Sequence, residues 1–99
     1  MNVNMQGRHT GRTCAMLHKA IAQALEGQKV MVVAENYKHA LMMLEDTARM
    51  ERPSGISRAI RRIDYFKGSI VFVVNDPSRE YEKGWRGPIL TDHYVLENL

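Results

Sequence analysis

The residues best suited to chemistry lie near the start of the chain, in Gly7-Arg8-His9-Thr10-Gly11-Arg12-Thr13. Two glycines in a short polar stretch let backbone N–H groups converge on an anion, and a helix starting there adds the positive end of its dipole. In the standard phosphate-binding pattern, a lysine after the second glycine reaches the outer phosphates and the next hydroxyl meets Mg²⁺. Arg12 and Thr13 hold those two places. Arg12 keeps the charge of a lysine but not its compact ammonium or its reach. Gln6 stands where the standard pattern opens with glycine. On its own such a string is most often a plain surface loop, so its meaning depends on the elements around it.

Those elements alternate. Residues 2–5 form a weak strand candidate ahead of the loop. From Thr13 to Glu26, Leu17, Ile21 and Leu25 recur every fourth position with Cys14 and Ala24 beside them, which predicts a helix, and Gly27 supplies its left-handed stop. Lys29 to Ala34 is an apolar run suited to a strand covered on both faces. Asn36 is a good cap for a second helix with Ala40, Leu41, Leu44 and Ala48 as its apolar stripe, broken by Pro53-Ser54-Gly55. The spacing of Ile56, Ile60 and Ile63 predicts a short third helix with Arg58, Arg61 and Arg62 facing outward. Ile63 to Phe66 and Ser69 to Asn75 flank Lys67-Gly68 as a tight hairpin. A polar loop over Asp76 to Gly87 leads into a last apolar segment, Pro88 to Val95. This order predicts one α/β domain over residues 1–99, with a mostly parallel sheet flanked by helices and a hairpin adding an antiparallel member.

With these elements in place the chain resembles a P-loop NTPase, and in particular the ATPase domain of phage terminase large subunits, which package DNA. In that family the loop often reads x-Arg-x-x-Gly-Lys-Thr, and Arg8 matches its arginine. Val30 to Ala34 with the helix after it resembles the family's second strand and helix. Phe66-Lys67-Gly68-Ser69-Ile70-Val71-Phe72 resembles its hairpin, and Ile89-Leu90-Thr91-Asp92 resembles the acidic strand end that holds Mg²⁺ through water. The resemblance implies ATP and Mg²⁺ as cofactors, nucleotide binding by Arg8, Gly11, Arg12 and Thr13, metal binding by Thr13 and Asp92, and Asp92 as the catalytic residue.

Two departures weaken the implied activity. Arg12 replaces the lysine, and Asp92 is followed by His93, so the glutamate that orients the attacking water is missing. Loss of such a base commonly slows catalysis by about 100- to 10,000-fold. Nothing in the spacing brings Glu97 into that role. The expected enzyme is at most a weak ATPase. The family strand that follows the acidic one has no counterpart in Tyr94 to Leu99, so a homo-oligomer or a larger protein is expected to cover an open sheet edge.

Composition sets the outer bounds. The 99 residues are 44% hydrophobic and 25% charged, as in ordinary globular domains. No apolar run approaches the roughly 18 to 20 residues of a membrane helix, and the N-terminus lacks a secretory pattern. One cysteine makes no intrachain disulfide. The expected location is therefore cytoplasm, a host's cytoplasm for a phage-encoded chain. A net charge of +3 tolerates DNA as a partner without demanding it.

Other groupings carry less. Cys14 and His18 sit one helical turn apart, but two ligands do not make a metal site. Glu45 and Asp46 with Arg49 read as helix-surface charge pairing. Arg58, Arg61 and Arg62, with Trp85 and Arg86 in the later loop, are candidate nucleic-acid contacts in which the ring stacks bases and the cations meet phosphates. A solvated helix face and an aromatic covering the core edge is the commoner arrangement. The alternative function is accordingly a non-enzymatic interaction protein on the same scaffold, binding nucleic acid or inhibiting a larger protein.

Overall fold

A computed structural model describes residues 11–50, 55–56 and 62–97 of the chain. The candidate strand at 2–5, and Arg8, Arg58 and Arg61, lie outside the described residues. The elements in chain order are α1 (Gly11–Leu25), β1 (Lys29–Ala34), α2 (Tyr37–Met50), β2 (Gly55–Ile56), β3 (Arg62–Asp64), β4 (Ser69–Val74), β5 (Ile89–Thr91) and α3 (His93–Glu97), with a 3-10 turn at Glu80–Glu82 before β5.

The strands form one sheet in the order β2-β3-β4-β1-β5. β1 runs parallel to both β4 and β5, whereas β2, β3 and β4 pair antiparallel, so the sheet is mixed rather than mostly parallel. β1 is an interior strand, between β4 and β5, and is buried from Val30 onward, as an apolar strand covered on both faces must be. Its alternate residues feed two cores. Val30, Val32 and Ala34 pack with Leu17, Ala20, Ile21 and Ala24 of α1, Ala40 and Met43 of α2, and Ile70 and Phe72 of β4. Met31 and Val33 face the opposite side, under Val95 of α3 and under Tyr81 and Trp85. This division follows from connection handedness. The β1–α2–β4 crossover and the return from β4 past β1 to β5 run in opposite directions, so keeping both right-handed puts them on opposite faces.

Local chemistry fixes the ends. α1 stops where Gly27 takes φ +97°, with Gly27 N–H donating to Ala24 O and Gln28 N–H to Gln23 O. Asn36 caps α2 by accepting the His39 N–H at 2.8 Å. The expected third helix is not formed at its two ends: Ile56 and Ile63 are register partners in the β2–β3 ladder. The hairpin turn spans Tyr65 to Gly68 rather than two residues, closed by Tyr65 N–H to Gly68 O. Asp46 is not a surface group; it is buried on α2, 3.7 Å from Arg49.

Candidate functional site

α1 and β5 are far apart in sequence, and the sheet brings the start of one to the end of the other. Thr13 occupies the first turn of α1 and Asp92 follows the last residue of β5. Both are 0% exposed, and the Thr13 hydroxyl donates to Asp92 Oδ1 at 2.7 Å. Oδ2 accepts the Tyr94 backbone N–H at 3.0 Å, so the same carboxylate caps α3. His93 Nδ1 lies 3.7 Å from Oδ1 and 3.4 Å from the Thr13 hydroxyl. A buried carboxylate is costly unless donors or cations compensate it, which is what this cluster supplies.

No acidic side chain stands in the first described turn of α1, which is the sign that the dipole of a helix start prefers for a bound anion. Gly11 and Arg12 are exposed there. A Cβ added at Gly11 would meet nothing within 4 Å, so packing among the described residues does not demand glycine. The four described members of the sequence-derived set, Gly11, Arg12, Thr13 and Asp92, thus stand at one end of the sheet.

The donor set at Thr13 and Asp92 is two hard oxygens. Mg²⁺ sites commonly use one or two such protein oxygens with water and phosphate; here both side chains are fully buried and bonded to each other. Among the described residues no group of three or more His, Cys, Asp or Glu could hold a metal by itself.

Sequence reasoning missed Glu35, Lys38, His39, Met42 and Tyr94, which line a cavity of about 60 Å³ just beyond β1. Glu35 follows the last residue of β1, and Tyr94 sits in the first turn of α3. The Tyr94 ring meets His39 edge-on at 5.6 Å and His93 at 4.2 Å. No sequence pattern joins these residues, because the cavity is made by β1 lying beside β5 in the sheet.

Of the nucleic-acid candidates, Arg62, Trp85 and Arg86 are among the described residues. Arg62 is exposed on β3 and ion-paired with Asp64, while Trp85 and Arg86 lie in the loop that crosses to β5. Trp85 is half-buried over Met31 and Val33, and its indole N–H donates to Pro88 O at 3.3 Å. Beside it, Lys29, Gly84, Trp85, Arg86 and Gly87 line an open cavity of about 310 Å³ near the start of β1. That is the opposite end of β1 from Glu35.

No family model matches the chain, and neither a curated protein nor a solved structure does. No helix among the described residues is long and apolar enough to cross a membrane.

Proposed function

We propose that this chain binds a nucleoside triphosphate with Mg²⁺ at the start of α1 and the end of β5, as a P-loop-like domain with slow hydrolysis. The observation that carries the reading is the buried 2.7 Å contact between Thr13 and Asp92, 79 positions apart. A helix-start hydroxyl and a strand-end carboxylate are the two oxygens such a metal needs, and they meet beside an anion-receptive helix end. The motif order shared with terminase ATPases points the same way. Bound Mg²⁺ would neutralise charge building on the phosphates. Gly11 and its neighbouring N–H groups take the phosphate oxygens, Arg12 adds a cation for the outer phosphates, and Thr13 and Asp92 hold the metal. Calorimetric titration with ATP tests the reading. Binding should need Mg²⁺ and weaken on Arg12→Ala; an affinity indifferent to both sinks it.

A second reading rests on the cavity beside Trp85. Lys29 and Arg86 flank an indole there, an arrangement in which cations take backbone phosphates and the ring stacks a base. The chain would then act as a nucleic-acid-binding protein, with DNA or a larger protein as partner. The outer side of β5, which pairs with no other described strand, is where a partner or second copy would add a strand.

A further inference from the structure

Two loops converge on the start of β1, and a glycine pins each of them there. In the hairpin turn over Tyr65 to Gly68, a Cβ at Gly68 would run into Ala24 O and Gln28 O. The next residue, Ser69, donates its N–H to Gln28 O at 3.1 Å. On the other side of β1, a Cβ at Gly87 would run into Lys29 O. Pro88 O there accepts both the Met31 N–H at 2.9 Å and the Trp85 indole N–H at 3.3 Å. Glycine permits such backbone approach where a side chain would not fit. Because β4 and β5 flank β1, the two loops lie about two strand spacings apart, roughly 10 Å.

These loops present cations and rings. Lys29, Lys67 and Arg86 are exposed, and among the described residues none of the three is in an ion pair. The acids of the same loops are already compensated, Asp64 by Arg62, Glu80 by Lys83 and Glu82 by Arg79. Glu26, exposed after α1, is outweighed by the three cations. Trp85 shares the wall of the 310 Å³ cavity with Lys29 and Arg86. Phe66, in the hairpin turn, is 89% exposed, the most of any large apolar side chain among the described residues. A single exposed apolar residue is ordinary; this one adjoins Lys67, across the start of β1 from Trp85.

Charge and shape together favour one ligand chemistry. A strand with free bases offers faces to stack on rings and a phosphate per nucleotide for the cations. A duplex shows only base edges in its grooves. An anionic lipid surface would engage the cations and Phe66 but has no use for a concave site of ligand size beside Trp85.

From this arrangement we propose that the end of the sheet at the start of β1 binds single-stranded nucleic acid across both loops. One base enters the cavity against Trp85, with Lys29 and Arg86 on the phosphates beside it. The strand then crosses the start of β1 to the hairpin turn, where Lys67 meets a further phosphate and Phe66 stacks a second base. The proposal deepens the nucleic-acid reading above and rests on it, adding the hairpin turn and the choice of a single strand.

The test measures fluorescence anisotropy of a labelled thymidine octanucleotide, and of a labelled double-stranded hairpin, on the full chain. Phe66→Ala and Lys67→Ala replace exposed side chains, and Arg86→Ala reports on the cavity. The parent should bind the octanucleotide more tightly than the duplex. Phe66→Ala should weaken that binding by about 5- to 150-fold, the effect of losing one base stack. Lys67→Ala should reduce the slope of log affinity against log salt by about 0.7, the value for one phosphate of a single strand. Loss of affinity on Arg86→Ala, with none on Phe66→Ala and an unchanged salt slope on Lys67→Ala, overturns the two-loop site and leaves the cavity reading standing. A duplex bound as tightly as the octanucleotide overturns the single-strand assignment. Failure of the parent to bind either nucleic acid overturns both readings, and binding instead to phosphatidylserine vesicles that Phe66→Ala abolishes would reassign the surface to a membrane.

Discussion

Replacing Thr13 by Val deletes one hydroxyl and little else. Both side chains are β-branched and of similar helix propensity, so the change at the start of α1 is local. The lost group is a fully buried donor 2.7 Å from a fully buried carboxylate. Asp92 keeps the Tyr94 N–H at 3.0 Å but gives up the shorter bond from Thr13. A hydrogen bond to a charged group contributes about 1.5 to 3 kcal/mol, and leaving the acceptor short adds desolvation cost. The expected loss is therefore about 2 to 3 kcal/mol out of roughly 5 to 15 for a domain of this size. At about 4 to 8 °C per kcal/mol, the midpoint should drop by roughly 8 °C or more. The assay is a double-mutant cycle with Asp92→Asn, each protein followed by urea and thermal unfolding. The coupling energy should exceed about 1 kcal/mol, within the range for residues in direct contact. Single variants within about 0.5 kcal/mol of the parent, with no coupling, would mean that α1 does not meet β5 as described.

Three further outcomes follow from particular contacts. Gly87→Ala should destabilise the chain by about 1 to 3 kcal/mol or more in urea unfolding, because its Cβ would fall 1.9 Å from Lys29 O; a neutral result would show that the approach to β5 is looser. The Tyr81 phenol is held above its ordinary pKa of 10.0 by burial first, then by Glu82 and Asp76, with Arg79 opposing. The folded state thus keeps that proton longer than the unfolded chain, so this stability is full below pH 10 and falls as pH rises through the folded pKa. Tyr81→Phe should flatten that alkaline decline, and an unchanged pH profile would rule the phenol out. Trp85, the chain's single tryptophan, should be quenched by single-stranded DNA if the second reading holds, with affinity falling steeply as salt rises; quenching indifferent to salt, or none, counts against it.

How much of this was legible depended on whether local pattern and tertiary demand agreed. They agreed in β1, where an uninterrupted apolar run has only one comfortable place, between two covered faces. They agreed again at Asn36 and Gly27, whose cap geometries are set by the residues themselves. Ile56, Ile60 and Ile63 misled because spacings of four and seven also arise when two short strands fold back, which sets Ile56 opposite Ile63. The stripe of α2 turned as well: Met43, Asp46 and Thr47 are buried, because α2 packs against α1 as well as the sheet. Thr47 tolerates that place by donating its hydroxyl to Met43 O at 2.7 Å. Thr13 and Asp92 were singled out in the sequence by residue type, though their direct contact was not foreseen. Glu35 was invisible because its place at the cavity comes from strand order, which puts β1 rather than the hairpin beside β5.

The central claim is that the Thr13–Asp92 end of the sheet holds Mg²⁺-nucleotide, and thermal unfolding with and without Mg²⁺-ATP tests it most directly. Ligand at about 100 times its dissociation constant should stabilise the fold by roughly 2.7 kcal/mol, a rise of about 10 °C or more at this size. The rise should disappear without Mg²⁺ and in Thr13→Val, measured against that variant's own baseline. An unchanged midpoint with ATP, GTP and ADP at millimolar concentration would contradict the claim, and so would a rise that Thr13→Val keeps in full.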